Sequence, residues 1–159
     1  MMTAQTDKSY FVSQLPTKFQ IQEFVRQAGM FRSLLFQMKL TFEEKITAAF
    51  SAHNRSIFTN WLQTQHFDEN KPDMMDTIVS RLIDDLQDLP TLTLSLAIEP
   101  DERLTNQLAL WLKNNHNSPC LIEFIRKQSV IGGAIINFGG KQHDYTLGHS
   151  IKTINAVKS

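Results

Sequence analysis

One stretch of this chain decides the fold of its second half: IGGAIINFGGKQHDYTL, residues 131–147, which holds four of the six glycines. Ala134 to Phe138 is a short apolar run typical of a strand, and Gly139 with Gly140 makes the two-residue connection of a tight hairpin. Such a turn needs positive φ angles, which glycine adopts at little cost. The stretch therefore predicts a β-hairpin with residues 141–145 as the returning arm.

The same glycines do not fit the pattern of a phosphate-binding loop. Gly132 and Gly133 precede the first arm, where a glycine pair allows a bend or a close approach of two backbones. A dinucleotide loop has Gly-x-Gly-x-x-Gly before a long helix, and a P-loop ends in Gly-Lys-Ser or Gly-Lys-Thr. Here Gly140 is followed by Lys141 and Gln142. The pattern indicates turn and packing roles rather than nucleotide binding.

Upstream of the hairpin, residues 19–89 carry apolar side chains at helical spacing. Thr41 followed by Glu44 is a capping-box signature, so we expect a helix to start just after Thr41. Four stripes recur at intervals of three and four: Phe24, Ala28, Phe31, Leu35 and Met38; Phe42, Ile46, Ala49 and Phe50; Ile57, Phe58, Trp61 and Leu62; and Met75, Ile78, Val79, Leu82, Ile83 and Leu86. Because each helix must bury its stripe, residues 1–89 are predicted to form an antiparallel helical bundle.

At Pro90 the period of the apolar residues changes to two. Leu92, Leu94, Leu96 and Ile98 alternate with small polar residues, which predicts a strand. Pro100 and the acids beside it predict the start of a helix that carries Leu104, Leu108, Trp111 and Leu112 on one side. A second strand from Cys120 to Arg126, the hairpin and a short helix over residues 147–157 complete the chain.

The predicted fold class is therefore α+β, with two domains. Residues 1–89 form the helical bundle, and residues 90–159 form a small mixed β-sheet domain with a crossover helix and the glycine-turn hairpin. The first two strands are joined through a helix, so they are predicted to be parallel if they are neighbours, with a right-handed connection.

Composition excludes several classes of protein. The chain has 159 residues, 42% of them hydrophobic, and its 16 basic and 16 acidic residues give zero net charge, so no nucleic-acid partner is expected. A single cysteine, Cys120, rules out an internal disulfide and a multi-cysteine metal site. No apolar run is long enough to span a membrane, and the first ten residues lack the order of a secretion signal. We therefore expect a cytoplasmic protein without direct membrane insertion.

Catalytic and metal-binding patterns are also missing from the sequence. The five histidines lack the paired spacing of a metalloenzyme; His143, Asp144 and His149 come closest, but a strand places His143 and Asp144 on opposite faces. No Gly-x-Ser-x-Gly elbow is present. We predict no catalytic residue, no metal site and no cofactor.

An acidic run lies between His66 and Asp88, with seven carboxylates against Lys71 and Arg81. Such a run is either a solvated helix face or a docking face for a basic partner. Its acids are Asp68, Glu69, Asp73, Asp76, Asp84, Asp85 and Asp88.

The second half resembles the C-terminal domain of the delta subunit of F-type ATP synthase, known in mitochondria as the oligomycin-sensitivity-conferring protein. The resemblance rests on the alternating strand that ends in Ile98, Glu99 and Pro100, on the amphipathic helix after it, and on the ordered pattern of the hairpin. The family pattern has Ile-Gly-Gly, an aliphatic strand, a Gly-Lys turn and an Asp followed closely by Ser or Thr and Leu. The matching residues here are Ile131, Gly132, Gly133, Gly140, Asp144 and Leu147.

The resemblance implies a non-catalytic stator subunit of the peripheral stalk, which links the catalytic head to the membrane-anchored b subunit. Its implied partners are the N-terminal segments of the α subunits for the helical half and the b-subunit stalk for the C-terminal half. Its implied location is the inner face of the cell membrane, held there through the complex. Partner helices commonly dock in grooves between helices. Phe24, Phe31 and Leu35 are candidate anchors for such a helix, provided that the bundle does not bury them.

Three other interpretations stay open on the sequence. The chain is alternatively a stator subunit of a related rotary or export ATPase, an adaptor unrelated to ATP synthase, or a small enzyme or ligand-binding domain with a hidden site. A deep polar pocket with convergent His and Asp side chains would favour the last of these.

Overall fold

The computed structural model describes residues 4–147 and has a mixed helical and stranded architecture, which confirms the α+β class. The predicted closing helix over residues 147–157 and His149 lie outside the described residues, apart from Leu147. The described elements are α1 (Ala4–Gln14), α2 (Lys18–Leu34), α3 (Phe42–Ala49), α4 (Ala52–Leu62), α5 (Pro72–Gln87), β1 (Thr91–Leu96), α6 (Glu102–Asn115), β2 (Leu121–Arg126), β3 (Ala134–Phe138) and β4 (Lys141–Asp144).

Contacts divide the chain into two compact units. The helical unit comprises residues 1–15 and 19–89, and the sheet unit comprises Pro16–Lys18 and residues 90–159. Three residues at the junction of α1 and α2 therefore belong to the sheet unit, as does the chain after Leu89. The hydrophobic pattern of the sequence does not predict that these three residues belong to the sheet unit.

The core of the helical unit is a cluster of aromatic rings drawn from the predicted stripes. Phe50 and Phe58 stack with their ring centroids 4.5 Å apart, and Phe58 also lies 5.2 Å from Phe31. Aromatic pairs at these separations add to the free energy gained from burying their area.

Met38 is an exception to the first predicted stripe. Helix α2 ends at Leu34, and the Met38 side chain is fully exposed.

Helix α1 was not predicted, since its sequence is polar and has no clear apolar stripe. Phe11 in this helix and Leu15 just beyond it are nevertheless buried. The Trp61 indole N–H donates to the Asp7 carboxylate at 3.1 Å, and the Tyr10 hydroxyl donates to the carbonyl of Ile57 at 3.1 Å. Tertiary contacts rather than periodicity therefore hold α1 in place.

Helix α3 starts where the capping-box signature places it. The Thr41 side chain accepts from the Glu44 amide, and the Glu44 carboxylate accepts from the Thr41 amide at 2.7 Å. These two bonds satisfy backbone donors that the first turn of a helix leaves unpaired.

The sheet unit has a four-stranded mixed sheet in the order β2-β1-β3-β4. Strands β1 and β2, joined through α6, are parallel, whereas β1 with β3 and β3 with β4 are antiparallel. This pairing agrees with the sequence pattern of one crossover followed by one hairpin.

One face of the sheet packs on α6. Its core comprises Leu92, Leu94, Leu112, Cys120 and Ile122, with Leu96, Leu108, Ala109, Phe124, Ile136 and Phe138 packed around it.

Two predictions about the ends of β1 and α6 are corrected by the structure. Ile98 lies beyond the end of β1 and is 75% exposed. Pro100 precedes the helix, because Asp101 is its N-cap and accepts from the Leu104 amide at 2.8 Å.

The hairpin turn has the geometry that its glycines predict. Gly139 and Gly140 have φ angles of 57° and 75°, so both central residues are left-handed, as in a type I′ turn. An added Cβ at either position would meet no heavy atom within 4 Å. The turn therefore needs glycine for its backbone angles and not for space.

Replacing either Gly139 or Gly140 with valine is expected to lower the free energy of unfolding by about 1 kcal/mol or more, because a β-branched residue is strained at positive φ. Thermal and urea unfolding of each variant beside the parent protein measure the loss. Unchanged melting temperatures in both variants would contradict the tight turn.

Candidate partner-binding surfaces

The three predicted partner anchors lie inside the helical unit. Phe24 and Phe31 are 0% exposed and Leu35 is 4% exposed. The Phe24 ring lies 4.8 Å from Phe11 and 5.5 Å from Phe50, measured between centroids. Since their role as anchors depended on staying unburied, the structure corrects that prediction. Their stripe lies in the core because aromatic side chains of neighbouring segments cover it.

The hairpin residues of the family pattern lie together at the base of the hairpin and at its turn. Gly132 and Gly133 have φ angles of 62° and 76° and form the bend before β3. A Cβ on Gly132 would lie 2.7 Å from Cδ1 of Leu147, and one on Gly133 would lie 2.1 Å from the carbonyl oxygen of Tyr145. The close passage of the backbone after β4 therefore requires glycine at Gly133, whereas Gly132 meets only the Leu147 side chain and is favoured there by its positive φ.

Asp144 is the last residue of β4, the second arm of the hairpin. Its carboxylate accepts from the Thr146 amide at 2.9 Å, a local bond typical of an Asx turn, and Thr146 is buried. Ile131 and Leu147, at the two ends of the pattern, are 69% and 59% exposed. Gly132, Gly133, Gly140 and Asp144 therefore shape the backbone, whereas Ile131 and Leu147 present apolar surface.

A second apolar surface lies along α6. Leu104, Leu108 and Trp111 follow one another at intervals of four and three residues, so they share one side of the helix, which we call the α6 flank. Leu108 is partly buried against the sheet core, while Leu104 is 37% exposed and Trp111 is 57% exposed. A half-exposed tryptophan on a helix is the type of side chain that most often anchors a protein partner.

A shallow depression of about 610 Å³ lies further around α6. Its lining residues are Asp101, Glu102, Arg103, Asn106, Gln107 and Leu110. All of these lining residues belong to α6 or its N-cap, so within residues 4–147 no second element contributes to the lining. The depression has the form of an open surface rather than of an enclosed substrate site.

The opposite face of the sheet carries an ion pair. The Lys18 ammonium donates to one oxygen of the Glu123 carboxylate at 2.9 Å, and the Thr93 hydroxyl donates to the other at 3.1 Å. The bond from Lys18 is the main cause that holds the pKa of Glu123 below its ordinary value, with a smaller contribution from Thr93. Each oxygen of the Glu123 carboxylate therefore accepts from a neighbouring side chain.

Some carboxylates of the acidic run in the helical unit are also paired with bases. The Arg32 guanidinium donates to both oxygens of Asp76, at 2.6 and 3.1 Å, and holds the pKa of that carboxyl below its ordinary value. Asp85 lies 3.7 Å from the Lys8 ammonium and 4.0 Å from the Arg81 guanidinium. These pairs reduce the negative field that a basic partner would meet at this face.

The described part of the chain has a buried thiol and no cluster of metal-ligating side chains. Cys120 is buried, and burial raises the pKa of its thiol, which disfavours the reactive thiolate. Over residues 4–147, no three His, Cys, Asp or Glu side chains converge to hold a metal ion. The His143 ring lies 6.3 Å from the Tyr145 ring and is stacked on it.

No protein-family model matches this chain, and no curated protein is detectably similar to it in sequence. None of the helices in the described range is both long and apolar enough to cross a membrane. The structure itself defines a two-unit α+β protein. Its main features are an aromatic helical core, a small mixed sheet and an exposed apolar flank on α6.

Proposed function

We propose that this chain is a non-catalytic stator subunit of a rotary F-type ATP synthase, similar to the delta subunit, which links the catalytic head to the b-subunit stalk. The observation that carries the proposal is the order of the sheet unit. A strand, a crossover helix, a second strand and a hairpin with a Gly-Gly bend and a Gly-Lys turn follow one another, which supports the resemblance drawn from the sequence. Four glycines at positive φ within one short stretch are a more specific feature than the strand order alone.

The α6 flank supports the same proposal for the stalk partner. A long amphipathic helix, such as a stalk helix, buries apolar side chains at three- and four-residue intervals against a complementary strip. Leu104, Leu108 and Trp111 offer such a strip on a helix that packs against the sheet core through Leu108 and Leu112. A static coupling needs contact area rather than titrating groups, which fits the paired carboxylates and the buried thiol.

The helical unit is assigned, within this proposal, to the N-terminal segments of the α subunits. Its five helices over residues 4–87 support the assignment only by their type. Phe24, Phe31 and Leu35 are not its anchors, because they are buried.

Co-purification of the tagged chain with the α and b subunits of its own organism tests the function. We expect both subunits to be recovered with it. Recovery of b alone would keep the stalk assignment and discard the head assignment. Recovery of neither would overturn the proposal, and recovery of a different ATPase would favour the alternative of a related rotary or export machine.

Trp111→Ala is expected to weaken binding of the isolated b-subunit helix about tenfold or more, because a half-exposed tryptophan at an interface commonly contributes 2 kcal/mol or so. Titration of the b helix with each variant, followed by calorimetry, measures the change. Leu110→Ala is the matched control, since Leu110 is 60% exposed but lies on another side of α6. Equal affinities for the parent and the Trp111 variant would remove the α6 flank from the proposed interface.

A further inference from the structure

The three residues Pro16–Lys18, which we call the strap, pair with the edge of the sheet. Strand β2 is an edge strand in the order β2-β1-β3-β4. Thr17 forms a parallel bridge with Ile122, and the Ile122 amide donates to the Pro16 carbonyl at 2.9 Å. An edge strand left bare is a template for pairing with other chains, so covering it has a physical purpose.

The backbone amides of β2 point alternately toward β1 and away from it, which explains why the strap fits at this position. The amides of Leu121 and Lys127 donate inward, to the carbonyls of Pro90 and Leu96, both at 2.8 Å. The Ile122 amide therefore faces outward and needs a separate acceptor. The Pro16 carbonyl supplies it, and Pro16 itself has no N–H that the edge would have to satisfy.

A charged contact fixes the strap next to this backbone pairing. The Lys18 ammonium lies 2.9 Å from the Glu123 carboxylate, which also accepts from Thr93 on β1. Both side chains are about one-third exposed, at 37% and 32%, so the pair is partly shielded from water. Two contacts with adjacent residues of β2 therefore hold the strap. One is the backbone hydrogen bond with Ile122, and the other is the ion pair with Glu123.

We propose that the strap is a part of the sheet unit that is held there noncovalently, so that residues 1–89 and residues 90–159 stay associated even when the covalent connection between Leu89 and Pro90 is cut. The chain before Leu89 supplies the strap, and the chain after Pro90 supplies the strand that it pairs with. The inference does not depend on the stalk function or on any partner.

The experiment uses the full chain with a protease site, in a flexible linker, inserted between Leu89 and Pro90. After cleavage, we expect fragments 1–89 and 90–159 to elute from a sizing column as one species. Lys18→Glu places two carboxylates together, and we expect it to raise the dissociation constant of the fragments about fivefold or more. Lys18→Glu combined with Glu123→Lys is expected to recover part of the loss. Lys39→Glu, with the same change of charge at an exposed site, is expected to match the parent.

Amide exchange in the uncut protein gives a readout that is specific to the strap. The Ile122 amide should exchange faster in Lys18→Glu than in the parent, while the Lys127 amide, bonded inward to Leu96, should not change. Fragments of the cleaved parent that separate would overturn the proposal. An Ile122 exchange rate that is equal in the parent and Lys18→Glu would also overturn it.

Discussion

Gly133→Ala is expected to destabilise the sheet unit by about 3 kcal/mol or more, a larger loss than either turn glycine gives. Gly133 has a φ of 76°, and its added Cβ would lie 2.1 Å from the Tyr145 carbonyl oxygen. That oxygen is backbone, next to the bond in which the Tyr145 amide donates to Ala134 at 2.9 Å, so it cannot move aside cheaply. Strain and steric overlap therefore add at this position.

Urea unfolding followed by circular dichroism measures the effect, with Gly29→Ala as the matched control. Gly29 lies inside α2, and its added Cβ meets nothing within 4 Å. Alanine there should raise stability by about 0.5–1 kcal/mol, because glycine is the poorer helix former. Equal stability of Gly133→Ala and the parent would show that the chain after β4 does not pass over the Gly-Gly bend.

Phe58→Ala is the second variant with a large expected effect, a loss of about 3–5 kcal/mol from the helical unit. Phe58 is 0% exposed, and its ring lies within 6.4 Å of the rings of Phe24, Phe31, Phe50 and Trp61, measured between centroids. Its removal leaves a cavity at the centre of the cluster, where no neighbour can collapse without losing its own contacts.

Trp61 fluorescence in a Trp111→Phe background reports unfolding of the helical unit separately. Phe19→Ala is the control, since Phe19 is 78% exposed and its loss should change stability by only about 0.5 kcal/mol. A loss for Phe58→Ala as small as that of the control would place the core of the helical unit elsewhere.

Local chemistry explains why the hairpin and the start of α3 were predictable. A Gly-Gly turn and a capping box act within a few residues, so the sequence contains all of their determinants. Leu92 and Leu94 are separated by the polar Thr93, and this alternation directly indicates a strand with one apolar face. The failures at Met38, Ile98 and Pro100 lie just outside the ends of helices or strands, where capping and packing decide how far the element extends.

The candidate binding site was less predictable, because exposure is a property of the whole fold. Periodicity placed Phe24, Phe31 and Trp111 equally on apolar stripes, yet the first two are buried and the third is half exposed. A stripe states that a helix has an apolar side, and the number of neighbours that cover it depends on the other elements.

The sequence by itself determined the α+β class, the glycine hairpin and the α3 cap, since each is encoded in short, ordered patterns. Only the tertiary structure decided the burial of the three predicted anchors, the docking of α1 and the strap on the edge of β2. The physical reason is distance along the chain. The Ile122 amide finds its acceptor at Pro16, and no local pattern in either segment specifies that the two will meet.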